Sequence, residues 1–390
     1  MTEIDALDPR DLLLRRTSSQ LLDRRIAGPP ETAVGALLAV QAQDRSSWRL
    51  ALRARVGGIT AADVDRALTD ERSLLVAWLN RGTLHLVRSE DYAWLLALTA
   101  PTQVVANARR LGQEGLTPEE ADRGVACIEE SLIVEGPLVR GRLRERLAAR
   151  GIRTEGQALV HLLFAAVIRG VAVLGPMAAG GHAFVHAREW LGSAAEPPRP
   201  GWRDTALAEL ARRYLIGHGP ATAQDLGKWA GLPLRDSRAG LRSIGAELIE
   251  LPGGLLDLSS RWASREPQSG GRRPSREPSP GIGGREEPLP PRLLPDFDPC
   301  LLGWREREPF LSRVDEPLVI PPGGGLFRPV ATVDGVAAGT WSVRRTAGRI
   351  AVSVAPFRPL PSNAVAALRA EVQDVAHFEG RTLAALDGLP

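Results

Sequence analysis

Two stretches of the chain follow one plan, and this repetition constrains the fold more than any other feature. Residues 117–191 read as a helix (PEEADRGVACIEESL), Gly136-Pro137, a second helix (LVRGRLRERLAAR), Gly151 and a third helix (GQALVHLLFAAVIRG). Two strand-like runs, VAVLG and HAFVH, close the unit across a Gly-rich turn. Residues 202–260 repeat the order: DTALAELARRYLIGH, Gly219-Pro220, TAQDLGKWAGL, RDSRAGLRSI, then ELIEL and LLDLS across a Pro-Gly-Gly turn. A Gly-Pro step ends one helix and sets a proline near the start of the next. Three helices with a two-stranded hairpin is the winged-helix plan. Recurrence of the junction favours a repeat over two unrelated helical hairpins.

The flanking segments extend this reading. Residues 9–99 are mostly helical: Asp8-Pro9 starts a helix, ETAVGALLAV ends in the polar string Gln41-Ala42-Gln43-Asp44, and Thr60 caps AADVDRAL. SLLVAWLN then leads through Gly82 into a short alternating strand over residues 83–87 and a helix, SEDYAWLLALTA. Residues 261–291 are Pro, Gly, Ser and Arg with almost nothing to bury, and are expected to be a disordered linker. Three period-two runs (LFRPVATVD, AAGTWSVRR, RIAVSVAPF) and a closing helix, SNAVAALRAEVQDVAHF, form a small C-terminal mixed α/β domain. The expected class is α+β. Tandem winged-helix units occupy residues 1–110, 116–192 and 202–260, followed by the linker 261–291 and a β-rich domain over 292–390.

Composition narrows the function classes. The longest apolar run, residues 159–168, contains His161 and stops at Arg169, so no segment can span a membrane. The amino terminus is acidic, unlike a signal or transit peptide. Two cysteines, Cys127 and Cys300, build neither a disulfide framework nor a four-cysteine metal site, and Cys127 sits in a helical pattern as core. A cytoplasmic location is expected, with no cofactor and no metal. His182 and His186 flank a strand without a carboxylate beside them and read as structural. Of 49 basic residues only Lys228 is a lysine; the rest are arginines, whose planar forks suit phosphate and base edges. GxxxxGK[ST], HExxH, GxSxG and paired CxxC signatures are all missing.

One short string stands out. The chain has 9 glutamines, so a chance Gln-x-Gln is expected roughly 0.2 times. Taken with its neighbours it gains meaning. VQAQD, AWLNRGTLHLVRSEDYAWLLALTAP and RLLPDFDPCLLGWRER, in that order and with tandem Gly-Pro units between, resemble the AlkZ/YcaQ family of winged-helix DNA glycosylases. The likeness covers nearly the whole chain except the 261–291 insert, which departs from the compact family pattern. It implies a C-shaped array of three winged helices with duplex DNA in the concave face. It also implies that Gln41 and Gln43 carry catalysis, in the two-glutamine type linked to bulky N-alkylated purines and interstrand crosslinks, acting in an open cleft without full base flipping.

The residues themselves permit that chemistry. Cleaving an N-glycosidic bond passes through an oxocarbenium-like sugar. A purine alkylated at N7 is already cationic and leaves without a general acid. What remains is to hold a water against C1′, which two neutral amides can do with their acceptor and donor pairs. Uncharged purines are then poor substrates. A monofunctional enzyme is expected, because a lyase needs an amine and the one lysine, Lys228, reads as nearer phosphate than C1′. Asp44 either supplies negative charge or caps the next helix at Ser46. Arg81 and His85 belong either to a DNA-facing hairpin or to a satisfied histidine and a surface arginine. Arg45, Arg140 and Lys228 are further DNA-contact candidates, although the stripe Arg140, Arg142, Arg144 and Arg146 also suits a solvated face. Asp296 and Asp298 read as structural, and Trp48, Trp78 and Trp94 as core. The expected partner is double-stranded DNA containing alkylated purines, bound by a monomer. The alternative is a non-catalytic winged-helix DNA-binding protein or transcriptional regulator. Such regulators are usually short and dimeric, whereas three units in tandem let one chain wrap DNA alone.

Overall fold

The computed structural model describes residues 7–44, 47–178, 181–196, 199, 201–263, 287–323 and 325–389. Arg45, and the linker expectation over residues 264–286, lie outside the described residues.

The first unit comprises α1 (Pro9–Ser19), α2 (Pro30–Leu37), β1 (Val40–Gln41), α3 (Ser47–Arg55), α4 (Ala61–Thr69), β2 (Leu74–Leu79), β3 (Thr83–Arg88) and α5 (Ser89–Gln113). The second holds α6 (Pro118–Glu135), β4 (Leu138–Val139), α7 (Arg140–Ala149), α8 (Ala158–Ile168), β5 (Ala172–Ala178), β6 (Gly181–His186) and α9 (Ala187–Leu191). The third holds α10 (Arg203–His218), α11 (Ala223–Ala230), α12 (Leu234–Ser243), β7 (Leu248–Leu251), β8 (Leu255–Leu258) and α13 (Ser260–Ala263). Three helices start by one device. Thr60, Thr117 and Thr222 each accept a backbone N–H, and the acid three residues on (Asp63, Glu120, Asp225) accepts from the threonine N–H. Each box satisfies two otherwise orphaned donors, so α4, α6 and α11 begin where the sequence places them.

Local signals fail at Pro101. The expected helix ends there, yet α5 runs through it to Gln113. Residues on both sides of the proline are buried: Tyr92, Leu95 and Leu98 before it, Asn107 and Leu111 after it. Asn107 also donates to the His161 carbonyl (3.0 Å) and meets His161 Nδ1 (2.8 Å) on α8. Packing against α8 outweighs the one lost helical hydrogen bond.

The hairpins of the first two units do not project as separate wings. They merge into a six-stranded sheet of order β1-β3-β2-β5-β6-β4, joined through Val76 and Leu174. The β2–β3 turn is pressed onto the third unit: a Cβ on Gly231 would lie 2.9 Å from the Asn80 carbonyl and 3.0 Å from Arg81 Cα. The hairpin therefore does not project as a separate wing, while Arg81 in its turn lines the cleft described below. Only β7–β8, among the described strands, forms a two-stranded sheet by itself.

The C-terminal unit has β9 (Arg292–Leu294), α14 (Pro299–Leu302), α15 (Glu316–Val319), β10 (Val330–Val333), β11 (Val336–Thr346), β12 (Arg349–Pro356), α16 (Ser362–Phe378) and β13 (Thr382–Asp387). Its sheet order is β13-β12-β11-β10-β9, antiparallel except for β12 with β13. Residues 292–304 wedge between the first and third units. Arg53 on α3 donates to the Leu293 carbonyl (2.8 Å) and pairs with Glu371 and Asp374 on α16. Arg55 makes two bonds, of 2.8 and 2.9 Å, to Asp298, and both side chains are 0% exposed. On the far side Tyr214 donates to the Gly303 carbonyl (2.7 Å) and Trp304 to the His218 carbonyl (2.8 Å).

Two buried histidines, His218 against this wedge and His85 on β3, make the fold acid-sensitive. Desolvation lowers His85 and His218 from the ordinary 6.5 to about 3. Both stay neutral in the fold while the unfolded chain takes up protons below its own pKa. The stability they contribute is complete above about pH 6.5 and is lost as the pH falls toward 3, at about 1.4 kcal/mol per pH unit for each. Unfolding free energies from urea titrations across that range are expected to fall with pH in this direction. A flat profile would mean that both rings reach water.

Candidate active site

Gln41 and Gln43 face the same way because the chain there is extended. β1 pairs with β3 (Val40 with Leu86, Gln41 with His85), and the Ala42 N–H donates to the Leu84 carbonyl at 2.7 Å. Alternate side chains of a strand point to opposite faces. Val40 and Ala42 enter the core, while Gln41 and Gln43 line a cleft of about 320 Å³. Gln41 is 8% exposed at the cleft floor; Gln43 is exposed at its mouth.

Arg81 and Thr83 from β2–β3, with Lys228 from α11, line the cleft on the glutamine side. Arg81 donates to the carbonyls of Lys228 and Trp229, both at 3.3 Å, and to Gln41 Oε1 at 3.3 Å. The two carbonyls belong to the last turn of α11, where acceptors are orphaned and the helix dipole is negative. One guanidinium thus caps α11 and fixes the Gln41 amide, since only its oxygen can face a donor. Gln41 Nε2 and the whole Gln43 amide have no hydrogen-bond partner among the described residues. The opposite wall is apolar and comes from the C-terminal unit: Phe297, Leu301, Leu302, Trp304 and Phe327, with Arg307 at its edge.

Lys228 belongs to this cleft, with Asp225 as the carboxylate that opposes the lowering of its pKa. Burial first, then the charges of Arg307, Arg81 and Arg305, lower its pKa. Burial likewise lowers Arg81. A lysine whose charge is disfavoured by burial and by neighbouring arginines is suited to a polyanion.

The remaining candidates divide. His85 is 2% exposed and neutral, its Nδ1 2.8 Å from the Thr83 carbonyl; it cannot contact DNA, and its burial behind Gln41 is the physical reason. Arg140 is exposed at the start of α7 and lines no part of the cleft. Asp44 accepts from the N–H (3.3 Å) and hydroxyl (2.9 Å) of Ser47, the first residue of α3, while Ser46 lies outside the described residues. The Ser47 hydroxyl also bonds Asp296, whose pKa is raised by burial and by Asp44. Asp298 caps α14 while holding Arg55. Trp48 is fully buried; Trp78 and Trp94 pack partly buried against the core. The apolar wall escaped residue-level reading. All of it but Phe327 lies in the block RLLPDFDPCLLGWRER, where the sequence reading gives a structural role only to Asp296 and Asp298.

The chain matches the family described as DNA glycosylase AlkZ-like over residues 34–378. It belongs to the AlkZ-like DNA glycosylase family. A relative from Streptomyces sahachiroi, named interstrand DNA cross-link repair glycosylase, is 27% identical over 388 residues, covering 95% of this chain and 96% of that protein. The solved structure of Streptomyces sahachiroi DNA glycosylase AlkZ aligns with a TM-score of 0.72 at 24% identity, over 98% of this chain and 100% of that one. This AlkZ-like glycosylase is therefore a hydrolytic enzyme with an α+β fold and a β-rich C-terminal sheet. No described helix is long and apolar enough to cross a membrane.

Proposed function

We propose that this enzyme hydrolyses the N-glycosidic bond of cationic N-alkylated purines in duplex DNA, with Gln41 and Gln43 as its catalytic residues. One observation carries the reading: among the described residues the cleft is lined by two glutamines but by no carboxylate, histidine or cysteine. With no carboxylic acid or imidazole, and with Lys228 read as a phosphate contact, the site best suits a leaving group that brings its own positive charge. Gln41 is held by Arg81 and offers its NH₂; Gln43 offers a free carbonyl. Between them they orient one water toward C1′. Water oxygen bonds to C1′, the alkylated purine departs as a neutral base, and the spare proton passes to solvent. Arg81, Lys228 and Arg307 meet phosphates, which offset their charge beside a developing oxocarbenium. An open cleft between two units also accommodates a purine tethered to the opposite strand. That makes interstrand crosslinks substrates and fits a role in DNA repair or in self-resistance to an alkylating natural product.

The test is abasic-site formation on a duplex carrying 7-methylguanine. The expected result is alkali-labile sites with intact strands, and no release of unmodified guanine. Because Lys228, the sole lysine, is read as a phosphate contact and not as a nucleophile at C1′, borohydride during turnover is expected to trap no covalent complex. If the methylated base stays in place, the protein binds lesions without cutting them.

A further inference from the structure

Phe297 stands in an unusual backbone state. Its φ is +55°, the left-handed region that a bulky side chain seldom adopts. Both neighbours are anchored. Asp296 is bonded to the Ser47 hydroxyl, and Asp298 is locked to Arg55 at 2.8 Å with no exposure. Between these fixed points the chain must turn through a left-handed residue, where glycine or asparagine would sit with little strain. It carries a benzyl ring instead. That ring is half-buried, belongs to neither hydrophobic core among the described residues, and lines the cleft that holds Gln41 and Gln43. Phe327 lies beside it, ring centroids 5.5 Å apart at 50°, and is itself packed against the smaller core. A strained aromatic that is part of neither core and lines the same cleft as the glutamines is placed to meet a ligand.

We propose that Phe297, backed by Phe327, is the platform on which the cationic purine of the lesion rests. This rests on the functional reading above and adds the residue that selects the base. The face of an aromatic ring is negative and attracts a cation above it. A flat, positively charged purine gains from both stacking and this attraction, whereas a neutral purine gains from stacking alone. The ring thus reads the same charge that lets the base leave without an acid, so recognition and reactivity select one class of lesion.

The experiment measures binding separately from cleavage. One duplex carries a 2′-fluorinated 7-methylguanine nucleotide, whose glycosidic bond resists hydrolysis; the control duplex carries the same nucleotide without the methyl group. Wild type is expected to prefer the cationic duplex by about 10-fold, the scale of one desolvated cation–aromatic contact. Phe297→Leu, apolar but without a π face, is expected to lose that preference, and Phe297→Tyr to keep it. Phe297→Asn, which tolerates the left-handed backbone, removes the ring should leucine disturb the loop. Binding to the unmethylated duplex is expected to fall by less than binding to the cationic duplex in Phe297→Leu and Phe297→Asn, because only stacking is lost there. A preference retained in Phe297→Leu or Phe297→Asn overturns the proposal, even if excision falls. Failure of wild type to excise ordinary 7-methylguanine would instead overturn the functional reading.

Discussion

Replacing Gln43 by alanine is expected to slow excision of 7-methylguanine from duplex DNA by about 100-fold or more, the usual loss when a reacting group is no longer held in place. The side chain is exposed at the cleft mouth and bonded to nothing in the described protein, so its removal leaves the fold intact. Affinity for undamaged duplex is expected to stay unchanged, because Arg81, Lys228 and Arg307 remain. Gln41→Ala is expected to lose a similar factor by a second route: Arg81 would lose one of its three acceptors, and its guanidinium would be free to swing toward the sugar. Single-turnover rates with enzyme in excess, beside filter-binding affinities, separate the chemical step from binding. Two variants that cleave like wild type would remove the glutamines from the mechanism.

The second large effect concerns stability. Asp298→Ala is expected to destabilise the protein by about 3–5 kcal/mol, since it strands a fully buried guanidinium. Arg55 would keep only the Ala51 carbonyl and Gln20 Oε1 as acceptors, and α14 would lose its N-cap. Denaturant midpoints at neutral pH measure the loss. The double replacement Arg55→Met with Asp298→Leu is expected to recover most of it, because both charges then leave the interior together. A single-variant loss below about 1 kcal/mol would mean that water reaches the pair.

Much of the secondary structure was legible because its causes are local. The helix read in SNAVAALRAEVQDVAHF is α16 from end to end, and the winged-helix elements of residues 202–260 fall where periodicity, caps and Gly-Pro steps put them. The extent of α5 was not legible: Pro101 is a genuine local stop signal, and only contacts with α8 override it. His85 gave no sign of its burial, since a histidine in an alternating strand fits either face until its neighbours are known.

The cleft divides along the same line. A period of two places Gln41 and Gln43 on one face of an extended chain, and that much resides in five consecutive residues. What lies opposite them does not. Arg81 comes from a later hairpin of the same unit, Lys228 from the third unit and Phe297 and Phe327 from the C-terminal unit, and they meet because Arg53 and Arg55 tie residues 293–298 to α3 while Trp304 and Tyr214 tie the same loop to α10. Backbone periodicity decides which way a side chain faces. Only long-range packing and buried charge pairs decide what it faces, and here they turned two unremarkable amides into one side of a cationic and aromatic cleft.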